Sequence, residues 1–420
     1  MDTRRFLLSG VSIYKDVMRD PIIADFTRLL GKDFTTAHEA AELYGSVFYA
    51  LCESPFGGNL ADYIYDKVLY AENLFTLESA RGGYEQMPQW EIQAAANDLS
   101  ALSQAAYTTS EEVKAHLAQL FPQYADLMDR LPDFQSQHKA FREEGNWGEK
   151  VFKFAQLCAN NGYGRYSRYK AFYLDTDGCE PTLRPVLNPD NISLEDLKGY
   201  EVQRKMVTDN TLALLRGMKA NNMLLYGDRG TGKSSTVKAV VNEYCGQGLR
   251  LVEVSKENLK YLGRVIDMLA GIPMKFIIFT DDLTFAEGDD SYTAMKAVLE
   301  GSANKLGDNM ALYATTNRRH LITETFSSRT GDDIHLKDTL DEAASLADRF
   351  GITVTFSSPG RKGYLEIVQQ LAEDRGLQVD PDELAAAANR WSAKRTSFSP
   401  RTARQFIDYV ESQKAQGLDI

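Results

Sequence analysis

Residues 223–244 read MLLYGDRGTGKSSTVKAVVNEY, an apolar run, a glycine-rich turn and a segment with helical spacing. Within it, Gly227-x-x-x-x-Gly232-Lys233-Ser234 satisfies every defined position of the GxxxxGK[ST] phosphate-loop pattern. Few other short patterns constrain a chain as tightly. Successive backbone N–H groups must converge on phosphate oxygens, and a Cβ at the glycines obstructs that approach or forbids the dihedral angles. The helix that follows aims the positive end of its dipole at the same anion. Lys233 is expected to supply a point charge to the β- and γ-phosphates, and the Ser234 hydroxyl to ligate Mg²⁺. Asp228, Arg229, Gly230, Thr231 and Ser235 complete the expected nucleotide-binding stretch.

A phosphate loop requires a parallel sheet behind it, and the flanking sequence supplies one. Apolar, β-rich runs recur at Met223–Tyr226, Leu249–Val254, Phe276–Phe279, Ala311–Ala314 and Ile352–Phe356. Helical segments, Lys233–Tyr244, Glu257–Leu269 and Tyr292–Leu299, separate them. Short buried runs alternating with helices predict an α/β fold with a mostly parallel sheet sandwiched by helices. Beyond Ser358-Pro359 the pattern is helical to the end, at Lys362–Arg375, Pro381–Trp391 and Thr402–Gln413, which suits a small helical lid.

At 420 residues the chain exceeds what one core ordinarily organises. We read four parts: a mostly helical N-terminal domain (1–160), a linker with a short strand (161–190), the nucleotide-binding domain (191–357) and the lid (358–420). In the first part, Thr36–Cys52 and Glu111–Leu131 carry apolar residues at helical intervals, with no motif of assignable chemistry. The linker interleaves Tyr163, Arg165, Tyr166, Arg168, Tyr169 and Lys170, a composition that stacks on and neutralises a nucleic-acid strand, or that simply precedes a strand. Ser193-Leu194-Glu195-Asp196 has the form of a helix-start capping box.

Hydrolysis needs a second strand that ends in acids at the carboxyl edge of the sheet. The run Phe276–Phe279 leads through Thr280 into Asp281 and Asp282. Asp281 is expected to hold Mg²⁺, largely through water, and Asp282 to orient or deprotonate the attacking water. A third strand ends in Thr315-Thr316-Asn317, where Asn317 is placed to bond the γ-phosphate or the lytic water. Arg349 precedes the last strand, and Arg401 and Arg404 open the final helix. Residues 390–404 hold five basic residues and no acid, a tract suited to phosphates of a nucleotide, to a nucleic acid, or to an ordinary solvated face.

In order, LLYGDRGTGKSS, FIIFTDDL, YATTNRRHL, SLADRFG and SPRTARQF resemble the AAA+ ATPases, and more closely a bacterial AAA+ ATP-binding group classed as a domain of unknown function. The likeness spans about Pro189 to Gln413 and includes SLEDLKGY at 193–200. It implies first-motif roles for Lys233 and Ser234, the Mg²⁺ role for Asp281 and the first sensor role for Asn317. Arg349 resembles an arginine finger that reaches a neighbouring subunit's ATP, and Arg401, or else Arg404, the second sensor. Gly199 and Tyr200 fall where such proteins line the adenine pocket. Many relatives carry Glu after the Mg²⁺ aspartate; this chain has Asp282, shorter by one methylene, so hydrolysis is less assured than ATP binding.

These features give two functional readings. One is an oligomeric ATPase that couples Mg-ATP hydrolysis to remodelling or loading of a macromolecular partner. The other is a slow or non-hydrolysing ATP-dependent switch. The only approximation to a guanine-reading motif, Asn304-Lys305-Leu306-Gly307, lacks its acid, which disfavours a GTPase. The net charge of −12 argues against a surface that coats nucleic acid generally, while leaving a local basic groove open. Neither a signal-like segment nor an 18-residue apolar run is present, so a cytoplasmic protein without membrane contact is expected. The four cysteines are scattered and form no CxxC pair, which disfavours zinc and redox motifs.

Overall fold

The computed structural model describes residues 1–137, 145–177, 180–285, 290–300, 306–317, 349–395 and 397–418. The chain divides into two compact units, Met1–Arg168 and Tyr169–Ile420.

The first unit is helical. Leu99, Ile64, Phe26, Phe75 and Trp147 are fully buried in its core, and Trp147 meets the Tyr65 ring edge-on at 5.3 Å. The expected helix at 36–52 forms as Ala37–Glu53, with the Thr36 side chain accepting the Glu39 N–H. The expected helix at 111–131 does not run through. It stops at Leu120 and resumes briefly at Ala125–Asp129, because Pro122 has no N–H to donate and its ring drives Phe121 out of the helical region, to φ −131°. Buried Asp98 holds the loop after the first helix (Asp2–Ser9): its carboxylate accepts the backbone N–H groups of Ser12, Ile13 and Tyr14.

The aromatic and basic residues of 163–168 make contacts within this unit, although Arg165 and Arg168 stay exposed. Tyr166 is buried with the Arg165 guanidinium 5.5 Å from its ring, and Arg168 pairs with buried Asp66 at 2.8 Å. These contacts favour a packing role for that tract over nucleic-acid stacking.

The second unit is built on a sheet of seven strands among the described residues, whose order from edge to edge is 182–185, 171–175, 249–253, 275–280, 310–316, 223–227 and 352–356. Five occur where the apolar runs predicted them: β3 (Met223–Gly227), β4 (Leu249–Glu253), β5 (Lys275–Thr280), β6 (Met310–Thr316) and β7 (Ile352–Phe356). All five run parallel, and β6 is buried at every position. The segment 161–190 departs from the linker expectation. It ends the first unit with a short helix (Gly164–Arg168) and then contributes β1 (Ala171–Asp175) and β2 (Thr182–Pro185) to the sheet edge. β1 lies parallel to β4, and β2 returns antiparallel to it.

Two local expectations also change. Ser193 and Asp196 do exchange the reciprocal capping-box bonds, yet they close a turn, and the helix starts only at Glu201. The expected helix at 257–269 is a tight 3₁₀ segment (Lys256–Tyr261) followed by an α-helix (Leu262–Leu269).

After β7 come three helices among the described residues: Gly360–Asp374, Pro381–Arg395 and Pro400–Ala415. They share a core of Tyr364, Ile367, Leu371, Ala388, Phe406 and Val410. No helix among the described residues is long and apolar enough to cross a membrane. Cys158 is buried and its thiol is pushed up to about 12 by burial; Cys179 lies outside the described residues.

Candidate nucleotide site

The carboxyl edge of the sheet opens into a cavity of about 630 Å³. Its floor is the turn between β3 and the helix Lys233–Tyr244. That turn requires glycine conformations, with φ of 144° at Gly227, 76° at Gly230 and 90° at Gly232. Arg229, Gly230, Thr231, Gly232, Lys233, Ser234 and Ser235 all line the cavity.

Gly227 and Asp228, expected to bind the nucleotide, fall outside the lining and serve the loop itself. A Cβ on Gly227 would lie 2.1 Å from the Phe356 carbonyl oxygen of β7. The Asp228 carboxylate accepts the Ser358 N–H at 2.7 Å, which ties the loop to the start of the lid.

Lys233 is buried, and its ammonium donates to the carbonyls of Gly227 and Asp228 and to Asn317 Oδ1, each at 2.8 Å. Burial lowers its pKa below the usual lysine range, partly opposed by Asp281, Asp228 and Asp282. Asn317 donates in turn to Asp282 Oδ1 at 2.7 Å. One amide therefore joins the loop lysine to the second acid.

Ser234 Oγ donates to Asp281 Oδ1 at 2.5 Å. Asp282 is one of two residues other than glycine with positive φ among the described residues, at 52°. The sequence did not announce Thr315, at the end of β6. Its hydroxyl contacts Asp281 Oδ1 at 2.5 Å and accepts the Asp282 N–H at 2.9 Å.

The donor set fits a magnesium ion accompanied by a polyphosphate. Mg²⁺ takes oxygen ligands and keeps several waters, so one carboxylate and one hydroxyl from the protein suffice when phosphates supply the rest. Ser234 and Asp281 are such a pair, already within hydrogen-bond distance. No group of three or more His, Cys, Asp or Glu that could hold a metal ion occurs among the described residues.

The C-terminal helices border the same cavity. Arg401 and Arg404 line the cavity, the Arg401 N–H donates to the Gly230 carbonyl at 3.2 Å, and Arg404 donates to the Asp196 carbonyl at 2.9 Å. A Cβ on Gly230 would lie 2.9 Å from Ser399 Oγ and 3.1 Å from Arg401 Cβ, so the lid helix sits directly on the phosphate loop. At the far end, Gly199, Tyr200, Ile367 and Leu371 form an apolar wall. Tyr200, the other positive-φ residue, donates its hydroxyl to the Ser357 carbonyl at 2.7 Å. Its ring stands 5.3 Å from Phe356.

Arg349 is not part of this cavity. It is half exposed and pairs with Glu300 at 3.3 Å. Of the basic tract, Arg401 and Arg404 reach the cavity, whereas Arg395 lies over the Trp391 ring at 3.8 Å. Arg318, Arg319 and Ser345–Asp348 lie outside the described residues.

A phosphate loop after β3, two aspartates after β5 with β6 between the two strands, and three helices after β7 form a P-loop α/β fold of the AAA+ kind. The chain belongs to the family described as "Protein of unknown function (DUF815)", whose model matches residues 167–414. No curated protein sequence matches it. Among solved structures, it is similar to the Thermotoga maritima RuvB Holliday junction branch migration motor at 17% identity and a TM-score of 0.38, over 54% of this chain and 67% of that one. A point mutant of the same RuvB matches at 20% identity and the same TM-score, over 54% and 68% of the two chains.

Proposed function

We propose that this protein binds Mg-ATP in the cavity beneath the lid and hydrolyses it as an assembly, using the cycle to remodel or load a macromolecular partner. The observation that carries the reading is convergence: Lys233, the Ser234–Asp281 pair, the Asn317–Asp282 pair and Arg401 all border one cavity. These groups suit phosphoryl transfer, in which catalysis is almost entirely positioning and electrostatic stabilisation. Lys233 and the loop N–H groups hold the terminal phosphates. Ser234 and Asp281 hold Mg²⁺, which when bound neutralises charge on the phosphate oxygens. Asp282, steadied by Asn317, orients the attacking water and accepts its proton, and Arg401 stabilises the phosphates from the lid. Gly199 and Tyr200 pack against the base.

Arg349 acts on the ATP of a neighbouring copy. Its half-exposed position beside Glu300, away from the cavity of its own chain, supports this. An arginine finger supplied in trans is worth 10³–10⁵ in rate. ATPase activity is therefore expected to rise with protein concentration. In Arg349→Ala it should fall by about 10³-fold while ATP binding stays unchanged. Turnover by strictly monomeric protein, insensitive to that substitution, would refute the trans role.

One observation favours a second reading, a slow switch. Asp282 is already engaged by Asn317 and is a methylene shorter than glutamate, so it reaches less far toward a water. Steady-state turnover above about 1 per minute at saturating Mg-ATP would rule the switch out; that threshold lies above slow unassisted GTPase rates.

A further inference from the structure

We infer that Thr315 is a positioning residue for both acids of the site, alongside Ser234 at Asp281 and Asn317 at Asp282, and that its hydroxyl raises the Mg²⁺ affinity of the nucleotide complex. The inference rests on the Mg-ATP reading above and assigns a role to a residue that the motifs leave unnoticed.

Register puts Thr315 in place. β6 lies between β5 and the phosphate-loop strand β3. Thr280 pairs with Ala314, and Leu225 pairs with Thr315, so Thr315 stands one step beyond the last β5–β6 pair, level with Asp281. From there it makes three bonds to consecutive residues of the turn. The Thr315 hydroxyl donates to Asp281 Oδ1 at 2.5 Å, the Asp282 N–H donates to the same hydroxyl at 2.9 Å, and the Leu283 N–H donates to the Thr315 carbonyl at 2.7 Å.

The proton arrangement is determined. A threonine hydroxyl has one hydrogen, and an ionised carboxylate only accepts. The hydroxyl must therefore give its hydrogen to Asp281 and use a lone pair for the Asp282 N–H. One group thus fixes the metal-side carboxylate and also holds the next residue in its left-handed conformation, φ 52°. Asp281 and Asp282 are both exposed, so packing does not orient them. Thr315 is buried and is itself held by the sheet. It transmits the rigidity of the sheet to two solvent-facing acids.

Loss of an outer partner of a metal-holding carboxylate costs about 10- to 100-fold in metal affinity. The test is binding of a fluorescent ATP analogue to the full chain, with Mg²⁺ titrated from EDTA-treated samples. Thr315→Val keeps the branched shape and deletes the hydroxyl, and Thr315→Ser keeps the hydroxyl. Thr315→Val is expected to bind nucleotide in EDTA as the parent does and to lose about tenfold or more of the Mg²⁺-dependent gain. Thr315→Ser is expected to retain that gain. Thermal melting checks folding, and if Thr315→Val is unfolded, Thr315→Ala against Thr315→Ser makes the same comparison. A folded hydroxyl-less variant with the parent's full Mg²⁺ dependence would overturn the role. Equal loss in Val and Ser variants would overturn it too. If the parent itself bound no nucleotide, the Mg-ATP reading would fall and this inference with it.

Discussion

Lys233→Ala is expected to weaken Mg-ATP binding by roughly 10- to 100-fold, the largest functional effect of any single change in the cavity. The ammonium is held by two loop carbonyls and by Asn317, each at 2.8 Å, in a pocket that leaves the residue 6% exposed. A charged hydrogen bond in such surroundings contributes about 1.5–3 kcal/mol, and 1.4 kcal/mol is tenfold in affinity. Alanine removes the positive charge and releases Asn317 Oδ1, which loosens the group that steadies Asp282. Isothermal titration calorimetry with Mg-ATP measures both affinity and heat. Identical isotherms for parent and variant would remove the basis of the nucleotide site.

The largest structural effect is expected at Gly227. With φ of 144°, its backbone occupies a region that L-residues rarely adopt, and the missing Cβ would fall 2.1 Å from the Phe356 carbonyl oxygen and 2.6 Å from its carbon. Those are backbone atoms of the adjacent strand, so no rotamer change relieves the clash. Relief requires separating β3 from β7 where Gly227 pairs with Phe356 and Asp228 N–H bonds the same carbonyl at 3.1 Å. Gly227→Ala should destabilise the second unit by about 3 kcal/mol or more. Gly217 is the control: its φ is 71° and nothing lies within 4 Å of its Cβ position, so Gly217→Ala should cost only about 1 kcal/mol. Denaturant melts of the two variants compare them directly. Equal losses would mean that the approach of β7 is not what requires glycine at 227.

The contrast between these glycines parallels what sequence could and could not disclose. The five parallel strands were legible because strands covered on both faces must be apolar throughout, and LLY, FIIF and ALYA are. β1 and β2 were harder. β2 is an edge strand of four residues ending in Pro185, with an exposed–buried alternation no run of apolar residues marks. The phosphate loop declared its lysine and serine through spacing alone, since successive N–H groups impose that spacing on any chain. Asp228 did not declare its bond to Ser358, because its partner lies 130 residues away. Thr315 was invisible for a related reason: a hydroxyl at a strand end is unremarkable until register sets it level with Asp281. The Ser193–Asp196 pair shows the opposite failure. Its chemistry was read correctly, but a reciprocal bond pair caps a turn as readily as a helix.

Gly230 carries a mechanical consequence. Because Ser399 and Arg401 rest where its side chain would be, and the Arg401 amide is bonded to its carbonyl, the glycine-rich turn and the C-terminal helices share a bearing surface there. The helix 400–415 thus begins directly against that peptide. With the Asp228–Ser358 and Arg404–Asp196 bonds on either side of it, that contact leaves position 230 no room for any residue larger than glycine unless the turn and the helix move apart.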